Sequence, residues 1–201
     1  MSDSLVARHP NVGPLLAESA QRAKLLEAMV QVVAEKGFEA ATVADAVKRA
    51  KVSRGTFYEL FDSKQACLAA AYRLGCEVLE ERIDAAVRDA SDWREELRQG
   101  IRAYLHALQE EPRFARVYLI ERQALADERE EYLRRFAGRY GKSFAKSGRP
   151  VPPDDALYVL ASGVGELAGA RLRAGEDVTE LEDTLVSCAE LLASKEEDTW
   201  T

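Results

Sequence analysis

Histidine and cysteine are scarce in this chain, with two of the first and three of the second among 201 residues. His9 and His106 are far apart, and Cys67, Cys76 and Cys188 form no CxxC pair. A structural zinc site needs four such ligands at short spacing, so no metal site is expected. The thiols read as buried free cysteines in a reducing compartment. No nucleophile–base set is visible, so no catalytic residue, no cofactor and no enzymatic activity is expected. The Gly163-x-Gly165 pair sits in a helical stretch with no strand before it, which excludes a nucleotide-binding loop.

Long apolar runs are missing too. The longest, LYVLASGVGELAGA, has 14 residues and contains Glu166, too short to span a bilayer. The opening MSDSLVARHP lacks the apolar core of a signal peptide. No membrane association is expected, and a cytoplasmic protein is. Proline and glycine are sparse, at six and twelve, while hydrophobic residues make up 47%. That balance supports a helical fold with a real core.

Net basic charge is also absent: the chain carries −7 overall. Its distribution is uneven. Residues 1–75 hold 10 Lys/Arg against 8 Asp/Glu, whereas residues 76–201 hold 18 against 27. Only the N-terminal third can approach a polyanion without repulsion.

Helix punctuation is dense. Leu25, Leu26, Met29, Val32 and Val33 give a helical stripe between Ser19 and Lys36, stopped by Gly37. Thr42-Val-Ala-Asp45 is a capping box ahead of a short helix. Lys51-Val52-Ser53 breaks that helix, and Ser53 caps a second one carrying Arg54 to Phe61. A long helix opens near Lys64 and runs to about Ala90. Asp92 with Glu95, Pro112, Asp127 with Glu130, Asp155, and Asp177 with Glu180 mark further helix starts, and residues 147–155 are the clearest loop. About nine helices and an all-α fold are expected, with no strand.

The stretch VKRAKVSRGTFYELFDSK, residues 47–64, carries the function. Two short helices joined by a three- or four-residue turn and braced on both sides describe a helix-turn-helix, whose second helix enters the DNA major groove. Phe57 and Phe61, four apart, should face inward. Arg54 can then read guanine, Thr56 can offer its hydroxyl to a base or its methyl to thymine, and the Tyr58 hydroxyl can reach a phosphate. Gly55, with no side chain, lets the backbone approach the DNA closely, and Ser53 is a further candidate DNA-binding residue. Thr42 and Lys64, at helix N-termini, are candidate phosphate anchors.

The segment AEKGFEAATVADAVKRAKVSRGTFYELFDSKQACLAAAY resembles the N-terminal domain of the TetR family of transcriptional regulators. Gly37-Phe38, the Ala-Thr-Val at 41–43, Val52 to Tyr58, Phe61 and Ser63-Lys64 carry the resemblance. The family turn usually has glycine where Lys51 stands, so Lys51 is expected at φ > 0 and near the DNA backbone. The usual Ile-Ala of the preceding helix is Ala46-Val47, and Glu59-Leu60 replace a common Tyr-His. Residues 1–17, polar to mixed with Pro10 and Pro14, read as a flexible arm, and 196–201 as a disordered tail; the resemblance implies a DNA-binding domain at 18–65 and a ligand-binding and dimerising domain at 66–195.

Two stripes suit a dimer of helix pairs. Val178, Leu181, Leu185, Cys188 and Leu192 recur at 3-4-3-4 spacing, and Ala161, Gly165 and Gly169 permit close approach. Tyr104, Tyr118 and Arg122 are candidate ligand-binding residues among the aromatic and polar groups of the middle helices. The whole reads as a homodimeric repressor that binds a palindromic double-stranded DNA operator and is released by an unidentified small-molecule effector, with the long helix from Lys64 as the lever. The alternative is a ligand-binding helical adaptor without sequence-specific DNA recognition.

Overall fold

In the computed structural model, the helices opening at Val43, Arg54, Lys64 and Trp93 start where a side chain satisfies a backbone amide, as the expected caps require, whereas those opening at Pro112 and Asp154 start without a side-chain cap. Residues 16–121, 123–146, 148 and 151–193 are described. Among them are nine α-helices and no strand: α1 Leu16–Lys36, α2 Val43–Ala50, α3 Arg54–Leu60, α4 Lys64–Val87, α5 Trp93–Glu110, α6 Pro112–Ile120, α7 Ala126–Lys146, α8 Asp154–Ala174 and α9 Glu182–Ala193. No helix among the described residues is long and apolar enough to cross a membrane. Asp92 Oδ1 accepts from the amides of Arg94 and Glu95 ahead of α5. Pro112 occupies the first turn of α6, where its missing N–H costs nothing. Of the expected N-terminal arm at 1–17, Leu16 and Ala17 already belong to α1; the rest of the arm and the expected tail at 196–201 lie outside the described residues.

Packing divides the chain into two units. The first runs to Val78 and adds Glu111–Glu128; the second takes Leu79–Glu110 and everything from Arg129. The expected boundary at 65/66 thus does not coincide with the packing boundary. The first half of α4 belongs with α1: the Cys67 thiol lies 3.8 Å from the Leu25 carbonyl. It also belongs with α6, because the rings of Tyr72 and Tyr118 stack at 5.5 Å and those of Phe114 and Tyr118 at 5.4 Å. Gly75 lets α4 approach α6, since a Cβ there would lie 1.9 Å from the Phe114 ring. The α1 stripe is core as expected, with Leu25, Leu26, Met29, Val32 and Val33 all buried. Burial of such side chains contributes about 1.5–3 kcal/mol each.

In the second unit, Arg98 and Arg102 of α5 grip Glu182 at the start of α9, Arg102 with two bonds of 2.7 and 2.8 Å. The last expected helix is two elements. Val178–Leu181 is a 3₁₀ turn, with Asp177 Oδ1 accepting from the Thr179 amide at 2.8 Å, and α9 follows it. The change of pitch breaks the 3-4-3-4 register, because a 3₁₀ turn advances three residues per turn rather than 3.6. Val178, Leu181 and Leu185 are buried within the chain itself, and so are Ala161, Gly165 and Gly169 of α8. These six, expected at a dimer face, are intramolecular core. Cys188 is exposed, against the expectation of a buried thiol, while Cys67 and Cys76 are buried.

Candidate nucleic-acid interface and effector cavity

The unit α2–turn–α3 is set by local hydrogen bonds. Thr42 caps α2: its hydroxyl accepts from the Asp45 amide at 3.1 Å and donates to Asp45 Oδ2 at 2.7 Å, and Asp45 accepts back from the Thr42 amide. Lys36 at the end of α1 donates to the other Asp45 oxygen at 2.7 Å. These bonds, Lys36 first and Thr42 second, hold the Asp45 carboxyl down at about 2. Arg49 makes a bidentate pair with Glu35, both bonds 2.7 Å, fastening α2 to α1 a second time.

Lys51 ends α2 in the left-handed conformation, φ 55° and ψ 45°, as expected for the glycine position of the turn. It is the one non-glycine residue with positive φ among those described. Its amide and that of Val52 both donate to the Val47 carbonyl, which closes the helix end. Ser53 then caps α3 by accepting from the Thr56 amide at 2.9 Å.

Phe57 is fully buried and Phe61 nearly so, so α3 is anchored by one face. The opposite face presents Arg54, Gly55 and Tyr58, and Tyr58 is 48% exposed despite its large ring. The Arg54 guanidinium lies 5.7 Å from the centre of the Tyr58 ring. The Thr56 hydroxyl is 2.9 Å from Ser53 Oγ, so its methyl and remaining hydrogen-bonding capacity are what it can offer a partner. Lys48, Lys51 and Arg54 are exposed and form no ion pair among the described residues. A cationic edge with a hydroxyl and an aromatic ring suits phosphates and base edges. Lys48 was not singled out from the sequence; its place in the first run of basic residues, KRAK, was the available signal.

Lys64 does something other than expected. Its ammonium donates to three backbone carbonyls, of Phe38, Glu39 and Ala41, at 2.8, 3.3 and 3.1 Å, and lies 4.3 Å from the Phe38 ring centre. All three N–H bonds are committed inside the protein, so Lys64 fixes the turn between α1 and α2 rather than presenting a charge to phosphate. The same turn is held from α6, where Glu121 accepts from the Phe38 amide. Thr42 likewise spends both roles of its hydroxyl on Asp45.

Residues 25–71 match the family model described as bacterial regulatory proteins, tetR family. An uncharacterized HTH-type transcriptional regulator of Bacillus subtilis, YvdT, is 45% identical over 47 residues, 23% of this chain and 24% of the relative. Residues 25–71 are a TetR-family domain. The match thus spans about a quarter of that relative's length. The fold likeness is longer. The transcriptional regulator FadR of Bacillus subtilis, solved with stearoyl-CoA, superposes with TM-score 0.74 at 20% identity, over 85% of this chain and 97% of that one. A TetR-family transcriptional regulator from Pectobacterium atrosepticum gives TM-score 0.65 at 26% identity, over 92% and 100%. The all-α architecture beyond the TetR-family domain is therefore that of solved regulators.

Outside the TetR-family domain, the second unit holds a cavity of about 280 Å³ between α4, α5 and α7. Ile83, Val87, Leu97, Ile101 and Phe136 supply its apolar wall, and Asp84, Glu96, Arg139, Lys142, Ser143 and Lys146 its polar rim. Tyr140 closes it against Phe136, ring to ring edge-on at 5.4 Å, and burial pushes the Tyr140 hydroxyl's pKa up. Of the expected ligand residues, Tyr104 is one layer behind, 6.0 Å from the Phe136 ring but not lining the cavity. Tyr118 belongs to the first unit, in the aromatic stack with Tyr72, and is not a lining residue. Arg122 lies outside the described residues. The lining residues missed from sequence had one legible signal: Arg139, Lys142 and Lys146 recur on one face of α7.

Proposed function

We propose that this protein is a homodimeric DNA-binding transcriptional repressor, cytoplasmic and without catalytic activity. It binds a palindromic operator and is released by a small molecule in the cavity of the second unit. The observation that carries the reading is the two-sided α3: Phe57 and Phe61 buried, Arg54 and Tyr58 exposed beside the exposed cations of Lys48 and Lys51. Two such helices in a dimer would enter successive major grooves about 34 Å apart. Lys51 adopts the turn conformation that glycine usually takes there, so its presence in the turn does not favour the adaptor alternative.

A second copy is proposed to cover the outer row of α8 and α9. Val159 and Leu191 are 69% and 68% exposed, and Leu167 37%, three of the five large exposed hydrophobics among the described residues. Gly163, between Val159 and Leu167 on the same face, has nothing within 4 Å of where a Cβ would sit, which leaves room for a partner helix. This row is offset by two residues from Ala161, Gly165 and Gly169, about 200° round a helix. The proposed route of release is α4, one helix whose residues to Val78 belong to the first unit and from Leu79 to the second. An effector that binds the DNA-incompetent form better shifts the population away from the operator.

Selection of bound sequences from a random double-stranded library at near-physiological salt tests this. An enriched palindrome supports a dimeric sequence reader, and its half-site spacing gives the dimer geometry. Absence of enrichment overturns the reading. On the selected operator, Arg54→Ala or Thr56→Ala should weaken binding by about 1–3 kcal/mol, and less on random DNA.

A further inference from the structure

We propose that the cavity of the second unit takes a small amphipathic anion, an apolar body with one carboxylate, with Lys142 as the residue that receives the head group. This rests on the reading of the second unit as an effector domain and adds the chemical class of the ligand.

The charges around the cavity decide the sign. Asp84 is hydrogen-bonded by Arg139. Glu96 accepts from the Ser143 hydroxyl at 2.5 Å and sits 3.5 Å from the Lys146 ammonium. Both lining carboxylates therefore have partners inside the rim. Lys142 pairs with none among the described residues, and its side chain is exposed at the mouth. The rim holds one uncompensated positive charge. An ammonium ligand would meet three cations and find both carboxylates occupied. A carboxylate meets Lys142 directly, and the loose Lys146 contact can turn toward it. Charge-assisted hydrogen bonds of this kind are about twice as strong as neutral ones.

The interior sets the rest. Ile83, Val87, Leu97, Ile101 and Phe136 offer hydrocarbon and an aromatic face, with no charge among them. The volume, about 280 Å³, corresponds to roughly nine water volumes at about 30 Å³ each. A ligand of about ten non-hydrogen atoms fills it. Gly100 leaves the α5 wall open; a Cβ there would meet Val87 at 3.5 Å and Ile83 at 3.6 Å, ordinary contact distances. A longer side chain at this position would occupy the space itself.

The test uses the full-length protein and three probes of equal chain length: sodium octanoate, octylamine and 1-octanol, measured by calorimetry and by thermal shift. Octanoate should bind at least tenfold more tightly than octylamine, with the alcohol between them. Lys142→Ala should weaken octanoate about fivefold or more and leave the alcohol unchanged. Gly100→Met should abolish binding of all three. If that variant does not fold, Lys142→Glu, an exposed exchange, should reverse the order of octanoate and octylamine. Tighter binding of octylamine, lost in Gly100→Met, overturns the anion and leaves the effector reading standing. No binding by any probe, or octanoate binding untouched by both substitutions, overturns the site. Octanoate binding that obeys both variants yet leaves operator affinity unchanged supports the ligand class and defeats the effector reading.

Discussion

Replacing Lys51 by glycine separates what the turn needs from what DNA needs. Lys51 holds φ 55° with a Cβ in place. An L-residue in that region costs roughly 1–2 kcal/mol, which glycine does not incur. Glycine also frees the unfolded chain, which returns about 0.4–1 kcal/mol of that gain. The net expectation for Lys51→Gly is about 0.5–1 kcal/mol of added stability. In a chain of this size that raises Tm by about 1–4 °C, at 2–4 °C per kcal/mol. DNA binding should move the other way. If Lys51 neutralises one phosphate, its loss reduces the slope of log K against log salt by about 0.9. Lys51→Asn is the companion variant, since asparagine tolerates the same conformation and lacks the charge. It should lose the same salt slope. Thermal melting and a salt titration of operator binding give both numbers. A lower Tm for Lys51→Gly would refute the left-handed cap, and an unchanged salt slope in both variants would refute the phosphate contact.

Three further outcomes follow from single contacts. Gly75→Ala should destabilise by about 1–3 kcal/mol in urea unfolding, because overpacking against Phe114 outweighs a helix-propensity gain of about 1 kcal/mol; the double variant with Phe114→Leu should recover most of the loss. Lys64→Met removes three bonds to carbonyls and should cost about 1–3 kcal/mol while leaving the salt slope of DNA binding unchanged; a lost slope with no loss of stability would restore Lys64 as a phosphate anchor. Asp45 titrates at about 2 in the folded protein, below its ordinary value. Its contribution is therefore present at neutral pH and lost as pH falls from about 4 toward 2, so Asp45→Asn should flatten Tm against pH across that window. Equal acid sensitivity in the variant and the parent would show that the carboxyl is not bridged.

Sequence alone determined what depends on neighbours within one helical turn. Thr42 with Asp45, Ser53 with Thr56, and Gly37 and Lys51 at helix ends are legible because cap and capped amide lie a few residues apart. The two faces of α3 are legible for the same reason: Phe57 and Phe61 at i and i+4 leave Arg54 and Tyr58 outside. Only the tertiary structure decided which partner each group meets. Lys64 finds its carbonyls 23 to 26 residues back along the chain, and nothing local distinguishes that lysine from one reaching for phosphate. The α8 and α9 stripes showed which residues share a face but not whether that face turns to the chain's own core or outward. A 3₁₀ turn at Val178–Leu181 then shifted the phase. The cavity is least local of all, since α4, α5 and α7 each contribute a wall and none encodes the space between them. Short-range hydrogen bonds leave their pattern in sequence spacing, whereas the destination of a face is set by the packing of helices far apart in the chain.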